Sequence, residues 1–319
     1  MQEIDDFGII SLMYHRFEEN KYPSTNIRLK DFKEHLKIIN RKNINFINPS
    51  NFEKDLKNNK NERKVLLTID DGFSSFYENA WPILKEKKIP FILFVSTREV
   101  GSSNYMTWDQ IRELKRENFV EIGNHSHTHE YLVDEIYDVI KSDIEKSISI
   151  FKNELGKNSI FFSYPFGEYS LELKSIIQSL GFKFAFGQHS GVIDETKDLY
   201  ELPRFPINEK YGDLKRFKSL INYLPLEYKS LKPEEKKISE KDNPPQLIID
   251  FFKEQININN INCYSNDGGR WKKPNLNFQN QRLIINFDKK FLPRRGRINC
   301  SLNDKGKWRW FGTQFTVRN

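Results

Sequence analysis

Two stretches of the chain carry side chains whose types and spacing could hold a metal ion beside a base. Lys64 to Gly72 reads K-V-L-L-T-I-D-D-G, a short apolar run ending on two adjacent carboxylates, Asp70 and Asp71. Ionised carboxylates are almost never buried unpaired, so packing alone does not explain two of them at a strand end. Neighbouring residues on an extended chain point in different directions, which lets the two acids take different work. Asp71 as a helix N-cap beside a solvated acid is the plainer alternative. The second stretch, Asn124-His125-Ser126-His127-Thr128-His129, holds three of the six histidines. In a turn or helical start, His125 and His129 can face one point and bind one ion; a surface histidine cluster is the alternative. Two His and one Asp form a common ligand set for a hydrolytic zinc or similar divalent ion, with positions left for water and substrate. Asp71 would be the third ligand, and Asp70, adjacent but not coordinating, the general base. Zinc suits these ligands best, while nickel, cobalt and iron also accept them.

The surrounding sequence alternates strand and helix. Gly8 to Tyr14 reads as a first strand and ends on His15. Leu29 to Arg41 places Leu29, Phe32, Leu36 and Ile39 on one helical face, with His35 as a structural residue. Val65 to Ile69 predicts a buried strand, Phe73 to Lys88 a helix, and Pro90 to Ser96 a strand. Thr107 to Gln110 fits a capping box opening a helix to about Glu117, and Phe119 to Gly123 is the next strand. A helix over Leu132 to Leu155 precedes a strand at Ser159 to Tyr164 and the turn Pro165-Phe166-Gly167. Leu171 to Leu180 and Phe182 to Phe186 repeat the pattern, and Leu202 to Asn208 ends it. Such alternation implies an α/β fold with a mainly parallel sheet. His15, the two aspartates, the histidine cluster and Pro165-Phe166-Gly167 each follow the C-terminal end of a strand. In a β/α barrel those ends share one face, where catalytic residues collect.

Beyond this region the pattern changes. Glu227 to Gln246 is charged, carries Pro233, Pro244 and Pro245, and reads as a linker between a barrel over 1–226 and a small antiparallel β domain over 247–319. Runs at Arg282 to Phe287, Arg297 to Leu302 and Lys307 to Val317 suggest a sandwich. Cys263 and Cys300 share strand parity with apolar neighbours, so two buried thiols are expected, with a bridge between sheets as the alternative. Trp308 and Trp310 fall on one face, as core residues or as a sugar-stacking platform. From Arg270 onward, 13 Lys+Arg stand against two Asp, a net of +11, whereas the whole chain is +7; residues 1–269 therefore carry about −4. A basic face of that kind favours an anionic glycan or glycolipid as partner. Nucleic acid is not expected, because no recognition motif accompanies the charge. No apolar run approaches the roughly 20 residues that span a bilayer. Met1 to Gly8 lacks a basic n-region and an apolar h-region. The chain as it stands is expected in the cytoplasm, or outside it if a leading segment has been removed. The oligomeric state is left open.

T-I-D-D-G at Thr68 to Gly72 resembles the first motif of the polysaccharide deacetylases, the family of the nodulation-type chitooligosaccharide deacetylases. H-S-H-T-H at His125 to His129 matches their second motif, H-[ST]-x-x-H, and Y-P-F-G at Tyr164 to Gly167 resembles most of the third. L-M-Y-H-R at Leu12 to Arg16 is similar to the start of the biofilm poly-N-acetylglucosamine deacetylases. The resemblance covers Gly8 to Tyr223. It implies a distorted, fewer-stranded β/α barrel with a divalent metal, usually zinc, removing acetyl groups from sugars. By position it makes Asp71, His125 and His129 the metal ligands and Asp70 the base, with the Phe166 backbone N–H helping to stabilise the oxyanion. The family's third motif usually begins with an Arg that orients the catalytic Asp; here that position is Ser163, and Arg204 in L-P-R-F-P is the candidate replacement. No histidine follows His189, so the general acid that the family takes from its last motif falls to His15 or His189, His15 slightly favoured.

The expected activity is metal-dependent hydrolysis of acetyl groups, N-acetyl first, from a glycan containing N-acetylhexosamine. A non-catalytic glycan-binding protein on a degenerate barrel of this kind is the second reading. The missing third-motif Arg favours that reading, and the intact base, ligands and Pro-Phe-Gly oppose it.

Overall fold

Gly8–Tyr14 (β1) is buried along its whole length in the computed structural model, which describes residues 6–58, 62–255 and 257–318. Burial on both faces is what a parallel strand needs when helices cover the sheet. Six further strands follow: Arg63–Ile69 (β2), Phe91–Val95 (β3), Val120–Asn124 (β4), Phe161–Ser163 (β5), Phe184–Phe186 (β6) and Phe205–Pro206 (β7). They pair in parallel in the order β7-β1-β2-β3-β4-β5-β6, and Asn45–Phe46 adds to the outer part of β2. Leu202 bridges Phe186, so the segment leading into β7 touches both ends of the sheet and closes it into an irregular barrel. This is the distorted β/α barrel that the sequence implies.

The barrel is wrapped by Leu29–Arg41 (α1), Phe52–Asn58 (α2), Trp81–Lys87 (α3), Trp108–Lys115 (α4), Tyr137–Leu155 (α5), Leu171–Ser179 (α6) and Leu214–Leu220 (α7). Each turns an apolar stripe inward. In α1 that stripe is Phe32, Leu36, Ile38 and Ile39, with His35 among them. His35 is held between the Tyr14 hydroxyl at 3.0 Å and the Gly212 carbonyl at 2.7 Å, and its ring stacks on Phe217. The capping box at α4 forms, with Thr107 and Gln110 exchanging side-chain-to-backbone hydrogen bonds. The helix expected from Phe73 to Lys88 forms over residues 74–87, but not as a regular α-helix throughout. Phe76–Ala80 is a π turn and α3 starts at Trp81, because Pro82 has no N–H for the regular ladder. The helix expected from Leu132 starts later, at Tyr137, after a 3₁₀ turn over Leu132–Asp134.

The remaining residues build two packed sheets. Leu224–Pro225 (β8), Ser230–Lys232 (β9), Lys237–Ile238 (β10), Leu247–Asp250 (β11), Asn262–Ser265 (β12), Asn275–Gln279 (β13), Arg282–Asn286 (β14), Arg294–Asp304 (β15) and Lys307–Val317 (β16) are their strands. One sheet runs β8-β16-β15-β12 with β10 also on β16, and the other runs β9-β11-β14-β13. Leu247, Ile249, Leu283 and Ile285 meet Ile298, Cys300, Leu302 and Phe315 in one apolar core. Residues 227–246, read from sequence as a linker, carry β9 and β10 and so belong to both sheets. The two cysteines face the core as their parity predicts, but they are not free thiols. Register sets Cys263 directly opposite Cys300, with Cα atoms 4.0 Å apart, and a disulfide joins them within one sheet rather than between sheets. The two tryptophans part: Trp310 stacks on Tyr223 of the barrel, and Trp308 is exposed, so they form no common platform.

This β-module lies against the mouth of the barrel. Alternation puts Arg295 and Arg297 of β15 on the same sheet face as Gly312 and Gln314 of β16, away from the module's own core. Gln314 donates through Nε2 to the Gly167 carbonyl. Gly312 approaches so closely that a Cβ there would lie 2.0 Å from the Ser190 carbonyl oxygen. Arg294 forms ion pairs with Asp134 and Glu168, and its guanidinium lies 3.9 Å from the centre of the Tyr131 ring. Among the described residues, no helix is long and apolar enough to cross a membrane.

Candidate metal centre and active site

The site begins where β2 ends. The Asp70 N–H continues the ladder to the Tyr14 carbonyl, and the chain then turns through two left-handed residues, Asp71 (φ 75°) and Gly72 (φ 74°). That turn separates the carboxylates. Asp70 stays inside the barrel, fully buried, and Asp71 faces the mouth. Left-handed backbone at a residue with a Cβ is uncommon and is stored where the surroundings impose it. Ser126 (φ 68°), His129 (φ 55°) and Phe166 (φ 58°) share it, so four strained residues surround one point.

Asp70 is held by the residue that the sequence offered as its partner. Arg204 grips both carboxylate oxygens, Nη1 to Oδ1 at 2.7 Å and Nη2 to Oδ2 at 2.8 Å, with both side chains fully buried. Arg204 also donates to the Ser163 hydroxyl at 2.8 Å and through Nε to the Gly187 carbonyl. An Arg that reaches Asp70 from the position just before β7 therefore stands beside Ser163, where the third-motif Arg is missing. Burial pushes the Asp70 carboxyl up, but Arg204, with His125 and His15 adding to it, holds the group below the ordinary carboxylate range.

Asp71, His125 and His129 converge. Their ligating atoms lie within 4.8 Å of one another, with Nε2 of His125 and His129 at 3.4 and 3.3 Å from Asp71 Oδ1. That oxygen is buried and accepts no hydrogen bond from the described residues. An orphaned carboxylate oxygen facing two imidazole nitrogens at these separations fits a divalent cation between them. His125 Nδ1 lies 2.6 Å from the Ser163 carbonyl, so Nδ1 carries the proton and the Nε2 lone pair is free for the cation. The histidine loop is shaped from below by α5. Asp143 accepts the His127 and Thr128 N–H groups, Ser147 bonds the Asn124 side chain, and Ser126 Oγ accepts the His129 N–H. Burial works to raise the Asp71 carboxyl, and the two imidazoles bring it well below its usual range. Burial lowers His129, but Asp71 more than compensates and leaves it raised.

A cavity of about 360 Å³ opens over these ligands, lined among others by His15, Asp71, His129, Phe166, Tyr211, Arg295 and Arg297. Phe166 is fixed by its ring stacking on Tyr131, 3.9 Å between centroids, with the His129 ring 4.8 Å away. The two histidines considered as the acid separate here. His15 lines the cavity, and burial lowers its pKa against the opposing field of Asp71 and Asp70. The structure does not bring His189 to the site. Its neighbour Gln188 faces the cavity instead, and His189 lines a separate void with Lys197, Glu201 and Tyr228, where burial pushes it down to about 3. Arg295, Arg297 and Gln188 were missed as site residues. Their one signal was the R-R-G-R-I-N-C alternation, which puts two arginines on one strand face.

A parallel β/α barrel with Asp and two His converging at its C-terminal mouth, beside a buried carboxylate, has the arrangement of a hydrolase barrel built to hold a divalent cation. Residues 57–185 match the family model described as polysaccharide deacetylase. The poly-beta-1,6-N-acetyl-D-glucosamine N-deacetylase of Staphylococcus epidermidis is 25% identical over 219 residues, 64% of this chain and 74% of that protein. Among solved structures, the Streptococcus pyogenes deacetylase PplD, in complex with acetate, is 26% identical with a TM-score of 0.58, covering 63% of this chain and 93% of that one. IcaB from Ammonifex degensii shares the fold at 24% identity and a TM-score of 0.62, covering 68% of this chain and 98% of that one.

Proposed function

We propose that this chain removes N-acetyl groups from an N-acetylhexosamine-containing carbohydrate, with Asp70 as general base. The observation that carries this is the adjacency of Asp71, His125 and His129 to a second carboxylate that does not share their cation position. Instead, Asp70 is aimed by Arg204. Zinc is the cation best suited to one carboxylate and two imidazoles. Held by those three residues, it would supply Lewis acidity to the water nucleophile and to the acetyl carbonyl. Asp70 takes the proton of the attacking water, its bidentate contact with Arg204 fixing the direction of its remaining lone pairs. The Phe166 N–H, presented by its left-handed turn, donates to the oxygen on which charge develops. His15, across the cavity, gives a proton to the departing amine. Arg204 is a positioning residue, since it touches Asp70 and not the cavity. Within the chain, the barrel supplies the machinery, and the two-sheet module, to which residues 227–246 contribute β9 and β10, supplies the facing wall. That basic wall suits an anionic glycan or glycolipid as the substrate. Of the two locations considered, the Cys263–Cys300 bond favours one outside the cytoplasm, where disulfides persist.

The test is acetate release from N-acetylglucosamine oligomers and O-acetylated sugars, with metal stripped and then restored. Release is expected to disappear with the metal, return with zinc, and fall by at least about 10²-fold in Asp70→Asn. Metal binding at Asp71, His125 and His129 without acetate from any sugar would favour the glycan-binding reading.

A further inference from the structure

Arg297 is a cation without a counter-ion. Among the described residues its guanidinium makes no hydrogen bond and no ion pair, and its Nε is buried with no partner. The other arginines of this strand are engaged. Arg294 pairs with Asp134 and Glu168, and Arg295 donates to the Phe166 carbonyl at 3.1 Å and to Gln188 at 3.2 Å. Arg297 is half-buried on the wall of the cavity that also contains Asp71 and His129, so it shares one enclosed space with the metal ligands. Burial and then Arg295 work against its charge, and the more distant fields of Tyr211 and Glu168 do not make up for them. A half-buried guanidinium is costly to leave unpaired, and its planar fork matches carboxylate and phosphate oxygens. The one carboxylate on the cavity wall, Asp71, faces the two imidazoles. No carboxylate of the cavity wall is left to pair with Arg297, which leaves its fork open to an anion from outside the chain.

We propose that Arg297 is an anion-binding subsite, and that the carbohydrate substrate carries a phosphate or carboxylate group close to the acetylated sugar it presents to the metal ligands. This rests on the deacetylase reading and adds to it the charge of the substrate. Arg295, fixed through Phe166 and Gln188 and paired with Glu168 at 3.6 Å, lines the same wall and leaves Arg297 as the arginine there without an ion-pair partner.

The experiment compares three oligomers of equal length on the full, zinc-loaded chain: N-acetylglucosamine tetramer, the same tetramer with a 6-phosphate, and one with a uronate unit beside an N-acetylglucosamine. Acetate release is measured for each, together with equilibrium binding to the Asp70→Asn chain. At least one anionic oligomer is expected to be favoured over the neutral one by about tenfold or more in kcat/KM, with the advantage shrinking as salt rises. Which one is favoured distinguishes phosphate from carboxylate. Arg297→Gln is expected to bring the anionic-to-neutral ratio close to one and Arg297→Lys to keep part of it. Lys305→Gln, the loss of an exposed charge at the far β15–β16 turn, is expected to keep the whole ratio. Equal use of all three oligomers, or a ratio unmoved by Arg297→Gln in a chain that melts normally, overturns the proposal and leaves the deacetylase reading standing. Arg297-dependent binding of an anionic oligomer with no acetate from any oligomer has the opposite meaning: the subsite stands and the deacetylase reading falls.

Discussion

Asp70 and Arg204 show how much one pair of side chains decides. Both are fully buried, and their bidentate contact keeps Asp70 ionised where burial alone would neutralise it. Arg204→Lys keeps the charge but loses the fork, so kcat is expected to fall roughly 10²-fold with KM little changed. The acid limb of the kcat/KM profile should move upward as the Asp70 carboxyl loses its partner. A KM rise with kcat intact would count against the positioning role. His35 makes a separate statement about stability. It is pushed down to about 4 by burial, opposed by the Gly212 carbonyl. An unfolded chain takes up a proton near pH 6.5 that the folded chain refuses until about 4, so stability is expected to decline as pH falls through that window, by up to about 3 kcal/mol. Denaturant melts of wild type and His35→Gln between pH 7 and 4 should show the slope flatten in the variant. Arg204 was legible because a missing Arg at Ser163 demanded a replacement, and β7 ends at the same face. His189 misled because its residue type is right, while the bend after β6 turns Gln188, not His189, toward the cavity.

The strands and helices of the barrel were readable because their signals are local: an apolar run, an amphipathic period, a capping box. Where Pro82 enters, the local signal of a helix remained but its hydrogen-bond ladder could not, and a π turn replaced it. The β-module was less legible for the opposite reason. β9 pairs with residues 248–250 and β10 with 316–317, and neither partner is visible from the short polar stretch around them. The disulfide hid in the same way, since parity gave the face of each cysteine but only register made them neighbours. Between module and barrel, the close approach at Gly312 is the most exacting contact. Gly312→Ala would drive a Cβ into the Ser190 carbonyl, and the two layers must then separate by more than an ångström. The variant is expected to lose about 1–3 kcal/mol of stability and to lower activity by loosening the Arg295–Arg297 wall. Thermal melts and kcat/KM measured together check this, and an unchanged melt would show that the layers can yield freely.

The molecule as a whole joins an acidic-to-neutral catalytic barrel to a basic lid-like sandwich, and the charge asymmetry of the sequence turns out to be a spatial one. What composition could not supply was where the positive face points. Strand alternation in β15 aims it at the metal ligands. The Cys263–Cys300 bond closes a 37-residue separation in that sandwich. Its removal in a Cys263→Ser/Cys300→Ser chain is expected to cost about 2–4 kcal/mol, mainly by freeing the unfolded chain. Denaturant midpoints of the oxidised and double-serine chains measure the difference.

Strand β16 joins module and barrel: it pairs with β8, β10 and β15 and also lays Gly312 and Gln314 on the barrel. It is also the last described strand in the chain. On a ribosome, then, all the proposed catalytic side chains emerge well before the strand that fixes the wall opposite them. A nascent barrel has its metal ligands and base but an open mouth, and the site closes only when the final strand arrives. Synthesis itself would impose an order in which the power to hydrolyse is assembled first and the choice of what to hydrolyse last.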